Sequence, residues 1–438
     1  MAVFPNNILQ QVQTYQKSSL ARLLNLCCHV STANTKFKNF QNISANLGSS
    51  VTFDLPPRFI TGAGLVASFQ PAVQRVQNLT VDQANNTSFS VTSQQRIFNL
   101  EKGEEDYMKV FGDSASAELA NLVEGNVAKN WNSSVVSQVD GTPNSFSGPY
   151  RFFGDGSTAI SSYQQLAQAI MFFKNYGSVT KGIKVYLPDT VIPAIIGNGL
   201  NQFAPERNNK DAMSWEVGAF GTPMVDYYQS NLMPIQAAGN AGVAGNTFTV
   251  ISTNDPTGQN VTQIVVSTNG AANDANAVFY SDMLQFKDGV AGKPNMRYLT
   301  FTGHFPSANA VQMRVTSAAG SVAGQIVLNI TPALNWAGGA NQNLNNAISA
   351  GMQLLTFPSH RCGGILGGDA MYIAMPQLPD QDPFSTANEY DADTGTSMRL
   401  TWGSQFGKNQ TGMIYDETHG SVIVPEYAMR YLIPLSQG

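Results

Sequence analysis

The chain has 438 residues, enough for two to three domains, and its 42% apolar content can build real cores. Charged residues make up only 12%, about half the usual quarter, and the formal net charge is −5, which argues against a general nucleic-acid binder. No apolar run approaches the ~20 residues of a membrane span, and three cysteines, two of them the adjacent Cys27 and Cys28, make no disulfide framework and fit a reducing compartment best.

Residues 1–47 read as an arm with one short helix, in which Leu20, Leu23, Leu24 and Cys27 share a face. Residues 48–100 read as an extended two-stranded β-loop. Val51, Phe53 and Leu55 alternate, Pro56-Pro57 and Gly62-Ala63-Gly64 break the pattern, and Val73–Val81 and Phe89–Val91 follow. This segment has few large apolar residues beyond one face and is expected to lie on a neighbour. Residues 1–100 carry seven Lys/Arg and two Asp/Glu, or +5; the remaining 17 Lys/Arg and 27 Asp/Glu give −10. Such a split suits chain-to-chain contact, and equally a chance fluctuation among few charges.

A helix is predicted over Tyr107–Trp131, with Val110, Phe111, Leu119, Leu122, Val123 and Val127 on one stripe. A Gly/Ser/Pro/Asn linker follows at 141–149. Ser162–Tyr176 has the pattern of an amphipathic helix stopped by Gly177. Ile183, Val185 and Leu187 then mark a strand, and Ile192, Ile195 and Ile196 a short helix. From Phe248 to Pro332 the period changes to two. Phe248/Val250, Leu299/Phe301, Val311/Met313/Val315 and Ile326/Leu328/Ile330 alternate, separated by Asn269-Gly270, Asp288-Gly289, Gly303 and Gly320. This is a small β-barrel or sandwich inserted at 236–334, with flexible linkers expected at Ala237–Gly245 and Ala337–Ala340. Beyond it a helix is predicted over Leu344–Leu355, then strands at Met371–Ala374, Met398–Trp402 and Val422–Val424. The fold class is therefore α+β with an inserted antiparallel barrel.

Chemistry-bearing motifs are weak. Asp393-Thr394-Gly395 spells an aspartic-protease triplet, but the apolar lead-in and the second copy are missing. Asp391-x-Asp393-x-Gly395, with Asp380, Asp382 and Glu389, offers at most a loose cation loop, against a default of solvated charge. His360-x-Cys362 lacks a second ligand pair, and His29, His304 and His419 show no ligand spacing. The run Gly363–Gly368 lacks the Lys-Ser/Thr of a phosphate loop and reads as a turn. No catalytic, cofactor or metal residue is nominated, and the chain reads as a non-enzyme without a cofactor.

The order of elements resembles the major capsid protein of tailed bacteriophages, in the short-tailed-phage subgroup with an inserted β-barrel. The resemblance is carried by the β-loop 48–98, the helix Tyr107–Trp131, the insert, and a return reading LNNAISAGMQLL, GGDAMYIAMPQLPD and TGTSMRLTWGSQFGKNQTGMIY. It implies a spine helix and peripheral domain at 101–140, an axial domain beginning at 141–235, and a return to both at 335–438. It implies an icosahedral shell of hexamers and pentamers, located in the virion and assembled in the bacterial cytoplasm. The implied partners are other copies of the chain, a separate scaffolding protein, a portal protein and packaged double-stranded DNA on the inner face, with no membrane. Some relatives crosslink through a Lys of the β-loop; 48–98 contains no Lys, so that bond is not expected. The intersubunit contact candidates are Arg58, Phe59, Arg75 and Arg96 of the β-loop, Arg22, Lys36 and Lys38 of the arm, and Asp288 and Lys293 of the insert. The competing reading is a β-rich receptor- or carbohydrate-binding surface or tail protein, supported by the Asn-rich, charge-poor composition.

Overall fold

The structure, a computed structural model, describes residues 19–20, 27–35, 50–59, 69, 74–92, 104–138, 141, 147–177, 182–197, 225–268, 273–301, 303–368, 370–380, 385–391, 395–404 and 409–437. The fold is α+β and mostly β, with, among the described residues, two open host sheets, one long helix and one closed barrel.

The hairpin strands Ser50–Leu55 and Arg75–Thr80 pair antiparallel, from Ser50↔Thr80 to Leu55↔Arg75. Their alternation buries Val51 and Leu79 on Ala374 and Val422, with Phe53 and Tyr372 packed alongside. The base of the β-loop is thus anchored on its own chain. The next strand, Gln83–Thr92, pairs along Gln410–Ile423, whose other neighbours are Met371–Ala374 and Thr396–Ser404. The edge strand Ser385–Asp391 completes this five-stranded sheet.

The spine helix runs Glu104–Ala128 and tightens into a 3-10 turn at Lys129–Trp131. Its buried face is Ala115, Leu119, Ala120, Val123, Val127 and Trp131. Phe111 and Leu122, expected on that stripe, are 41% and 44% exposed. The helix Tyr163–Lys174 begins with a capping box between Ser162 and Gln165 and turns off at Gly177, as its pattern indicates. It covers the second host sheet, ordered Phe152–Phe153, Ala428–Pro434, His360–Gly367, Ile183–Leu187, Val225–Gln229.

The barrel closes in the order Met283–Phe286, Gln312–Val315, Gln325–Leu334, Val261–Thr268, Thr247–Thr253, Gln353–Thr356, with every pairing antiparallel. Phe248, Val250, Ile264, Val266, Leu284, Met313, Val315, Ile326 and Leu328 fill its interior. It is an insertion within one sheet. The chain leaves at Ile235–Gln236 and returns at His360–Gly367, and these strands are neighbours, with His360↔Gln236 and Arg361↔Ile235.

Four local expectations are corrected. The barrel does not end at 334, because its sixth strand is Gln353–Thr356. No helix forms over 344–355. There Asn345 and Asn346 spend their side chains on Arg297 N and Asn295 O, and Gly351 sits at φ +87°, so the 3.6-residue spacing belongs to an irregular segment lying on the barrel. The run Gly363–Gly368 is strand for most of its length, not a turn, since Gly364 leaves the space into which Trp131 packs and a Cβ there would lie 2.2 Å from the indole. The small residues at 237–245 are no flexible linker. Gly239 approaches Ala277 O so closely that a Cβ would lie 2.5 Å from it, and Asn240–Val243 forms a short helix.

Candidate assembly interface and the buried hub behind it

Two nominated arginines meet at the far end of the hairpin from Ser50 and Thr80. Arg58 follows the first strand and Arg75 opens the second, so the antiparallel register brings them to one end. Their Nη2 atoms donate to the same oxygen, Glu426 Oε1, at 2.7 and 2.5 Å. Beneath them the Phe301 ring lies 4.7 Å from the Arg58 guanidinium and 5.9 Å from that of Arg75. Arg151 lies behind, stacked 4.2 Å over Tyr176 and donating to Glu426 O at 2.9 Å. Tyr150, Tyr176 and Tyr298 pack around it, and burial pushes the Tyr150 and Tyr298 hydroxyls well above the usual phenol range. The arginines offered as intersubunit contacts thus find their carboxylate within the same chain, 351 and 368 residues away. They fasten the hairpin at its Leu55↔Arg75 end. Phe59, the next residue, is 54% exposed.

The other nominations divide. Asp288 accepts a two-pronged contact from Arg297 Nη1 and Nη2 at 2.6 and 2.8 Å. Lys293 reaches Ser349 Oγ at 3.4 Å at the same end of the barrel. Arg96, Arg22, Lys36 and Lys38 lie outside the described residues, as do Asp382, Asp393 and Thr394 of the acidic loop. Asp380 accepts from Thr386 Oγ1 and Asn388 Nδ2 at 2.9 and 2.6 Å. His360 Nδ1 donates to Pro358 O at 2.9 Å, and burial, then Arg430, pushes its pKa down to about 3, so it stays neutral.

A second cluster, unseen in the sequence, binds the arm to the spine. Glu124 interrupts the buried apolar face of the spine helix. Its carboxylate accepts the backbone N–H of Cys28 and His29 at 3.1 and 2.8 Å, capping the helix Cys28–Thr32. It also accepts His29 Nδ1 at 2.5 Å. Trp131 Nε1–H donates to His29 Nε2 at 3.0 Å, so Nε2 carries no proton and His29 is neutral with its proton on Nδ1. Burial works against the charge of Glu124, but the hydrogen bonds from His29 and Cys28 outweigh it and hold the carboxyl down at about 2. The thiols of Cys27 and Cys28 are pushed up by burial and by Glu124.

Cys28, His29 and Glu124 have the donor types of a metal site and lie within 4.8 Å of one another. The arrangement does not fit one. A metal on Nδ1 would require a proton on Nε2, directly against the Trp131 N–H. Farther along, Lys184 Nζ donates to Thr32 O at 2.6 Å, and Asn34 bridges to Met371 and Ile373. The segment 27–35 therefore stitches the spine to both host sheets.

A third cluster joins barrel to host. Gln312 Oε1 and Nε2 pair with Phe152 N and O, both at 2.8 Å. The fully buried Arg314 donates to Ser147 O at 2.7 Å, which places part of the expected 141–149 linker in the core. Arg430 donates to Trp131 O, Ser281 O and Ser281 Oγ. Asp282 receives Gly239 N, Phe279 N and Gln236 Nε2. The charges on the barrel-facing host residues could have signalled these contacts only to a reader who already knew the pairing.

No family model matches the chain, and no curated protein does. Among solved structures, similar folds include the capsid of cyanophage P-SCSP1u (10% identity over 90% of this chain and 85% of that chain, TM-score 0.38). A chain of Mycobacterium phage Che8 aligns at 9% identity over 92% and 90%, with TM-score 0.40. The capsid of Ralstonia phage GP4 aligns at 8% identity over 90% and 86%, with TM-score 0.39. No helix among the described residues is long and apolar enough to cross a membrane.

Proposed function

We propose that this chain is the major capsid subunit of a tailed phage, a structural protein that assembles into an icosahedral shell of hexamers and pentamers around the genome. The observation that carries the reading is the hairpin. Apolar packing of Val51 and Leu79 holds the strands, Arg58 and Arg75 clamp the Leu55↔Arg75 end on Glu426, and the exposed Phe59 follows directly. A rigidly held stem of this kind presents a loop to another molecule. The order of hairpin, spine helix, host sheets, inserted barrel and return supports the same role, as does a surface poor in charge. A separate scaffolding protein, a portal protein and double-stranded DNA held non-specifically are the partners this role calls for, with assembly in the bacterial cytoplasm. The barrel strands give no support to carbohydrate recognition. Their only aromatics, Phe248 and Phe286, point into the core, where no sugar ring can stack.

The test is electron microscopy and size-exclusion chromatography of the purified chain, alone and with its scaffolding protein. Rings or closed shells are expected. Deleting residues 60–68, which leaves Arg58 on Glu426, should leave a folded subunit, by circular dichroism, that assembles poorly. A wild-type chain that stays monomeric with its scaffold overturns the proposal.

A further inference from the structure

The strand Gln83–Thr92 lies at one margin of the five-stranded host sheet. Its ten residues pair with Gln410–Ile423 without a register shift, from Gln410↔Thr92 to His419↔Gln83. In an antiparallel ladder successive residues turn their N–H and C=O to opposite sides. The Ala84 N–H donates to Gln138 Oε1 at 2.6 Å, away from Thr418, its partner across the ladder. The even-numbered residues therefore aim their backbone groups outward. Among the described residues nothing pairs with the N–H and C=O of Asn86, Ser88 and Ser90, and these residues are exposed. On the covered face Asn85 and Val91 are buried, and Phe89 stacks 6.0 Å from Phe111 of the spine helix, so the strand is held firmly in place.

An open edge of this kind is a template for pairing with another chain, and proteins blunt such edges with charge, proline or a bulge. Among the described residues, every other edge strand of five or more residues carries a charge or a proline: Asp54, Arg75, Asp226, Asp274, Pro306 and Glu389 stand in them. Gln83–Thr92 has no charge, no proline and no bulge. It is the one such edge left without protection.

We propose that this edge is a joint between two copies of the chain: the strand Gln83–Thr92 of one copy pairs antiparallel with the same strand of a second, continuing the host sheet across a two-fold axis. The register follows from the free groups. They belong to alternate residues centred on Ser88, between Ala84, which Gln138 occupies, and Thr92, which ends the strand. Ser88 therefore faces Ser88 of the second copy, and Asn86 faces its Ser90, each pair exchanging two hydrogen bonds.

The occupant is a second copy because the edge is complementary to itself. A two-fold contact sets a surface against its own image, so any charge on it meets the same charge. Here the outward residues are small and neutral, and they offer no charge or large side chain by which to select a different partner. The opposite margin of the sheet, Ser385–Asp391, fails this condition: Glu389 and Asp391 lie on it, and Asp380 is bonded beside it to Thr386 and Asn388. The sheet thus has one edge closed to self-pairing and one open to it.

The joint goes beyond the capsid reading, since it requires only two copies. The test is cysteine trapping in the purified full chain, with diamide as the oxidant. Ser88→Cys sets a thiol about 5.5 Å, Cα to Cα, from its own equivalent, a separation that a disulfide spans. In Ser90→Cys the equivalent thiols stand roughly 14 Å apart along the strands. Disulfide-linked dimer should form at least about 10-fold faster in Ser88→Cys than in Ser90→Cys, and the double variant Asn86→Cys/Ser90→Cys should restore it. Independently, Ser88→Lys sets two ammonium groups at the axis and should weaken the dimer about 10-fold or more in sedimentation equilibrium, whereas Asn86→Lys/Ser90→Glu pairs opposite charges and should keep it. Crosslinking of Ser88→Cys no faster than that of Ser90→Cys, a dimer indifferent to Ser88→Lys, or a protected Ser88 amide in a monomeric chain overturns the joint. Shells that form with no Ser88→Cys disulfide sink the joint and leave the capsid reading standing.

Discussion

Replacing Glu426 by Gln leaves two guanidiniums over one aromatic ring with no anion between them. At an effective dielectric of about 20, unit charges 2.7 Å apart attract by about 6 kcal/mol before desolvation, and the loss of water around partly buried ions cancels much of that. The side chains of Arg58, Arg75 and Glu426 are 11%, 21% and 14% exposed. This places the site between exposed pairs, worth about 0–1 kcal/mol, and fully buried ones, whose disruption costs about 3–5 kcal/mol. Because a single carboxylate oxygen serves both arginines, one substitution breaks both pairs and adds their mutual repulsion. We expect Glu426→Gln to cost about 2–4 kcal/mol, read as a lower urea midpoint at unchanged slope for the unassembled subunit. Arg58→Met should relieve the repulsion, so the double variant should be less destabilised than the two singles predict together, with a coupling of about 1–2 kcal/mol. Additive losses, or a Glu426→Gln loss below about 0.5 kcal/mol, would show that the hairpin is held by its apolar contacts alone.

Gly364→Ala pushes a methyl into the Trp131 indole and should cost about 1–3 kcal/mol, seen as a lower melting temperature with altered tryptophan fluorescence; an unchanged melt contradicts the packing described. The carboxyl of Glu124 is held down at about 2 against an ordinary 4.5, so its contribution is present above pH 4.5 and is lost as pH falls toward 2. Glu124→Gln should remove the corresponding acid dependence from the denaturation curve. The same variant should speed proteolytic cleavage around 27–35, and unchanged cleavage would mean that Lys184 and Asn34 suffice to hold the arm. Finally, a fragment spanning 236–334 lacks the sixth barrel strand and should not melt cooperatively, whereas 236–359 should; cooperative melting of the shorter piece would show that five strands suffice.

Local periodicity specified a large part of this molecule. The alternations Phe248/Val250 and Ile326/Leu328/Ile330 each placed a strand's buried face correctly, because a half-buried strand writes its environment at every second residue, whereas beside Val311/Met313/Val315 the intervening Gln312 and Arg314 are buried as well, against the host. The spine helix and the capped helix after Ser162 were legible for the same reason, at a period of 3.6. Glu124 carried a signal too, a carboxylate on an otherwise apolar helix face.

What pattern could not specify is pairing between distant segments. Gln353–Thr356 is too short to announce itself as a strand, and it is one only because the barrel needs a sixth partner. Gly363–Gly368 looks like a turn until Trp131 fills the space above Gly364. Ala237–Gly245 looks flexible until Gly239 is pressed against Ala277. Arg58 and Arg75 look like contacts to a neighbouring subunit until Glu426 arrives from the other end of the chain. In each case the residue's environment is supplied by atoms hundreds or scores of positions away, and only tertiary packing brings them within range of the short forces that decide its role.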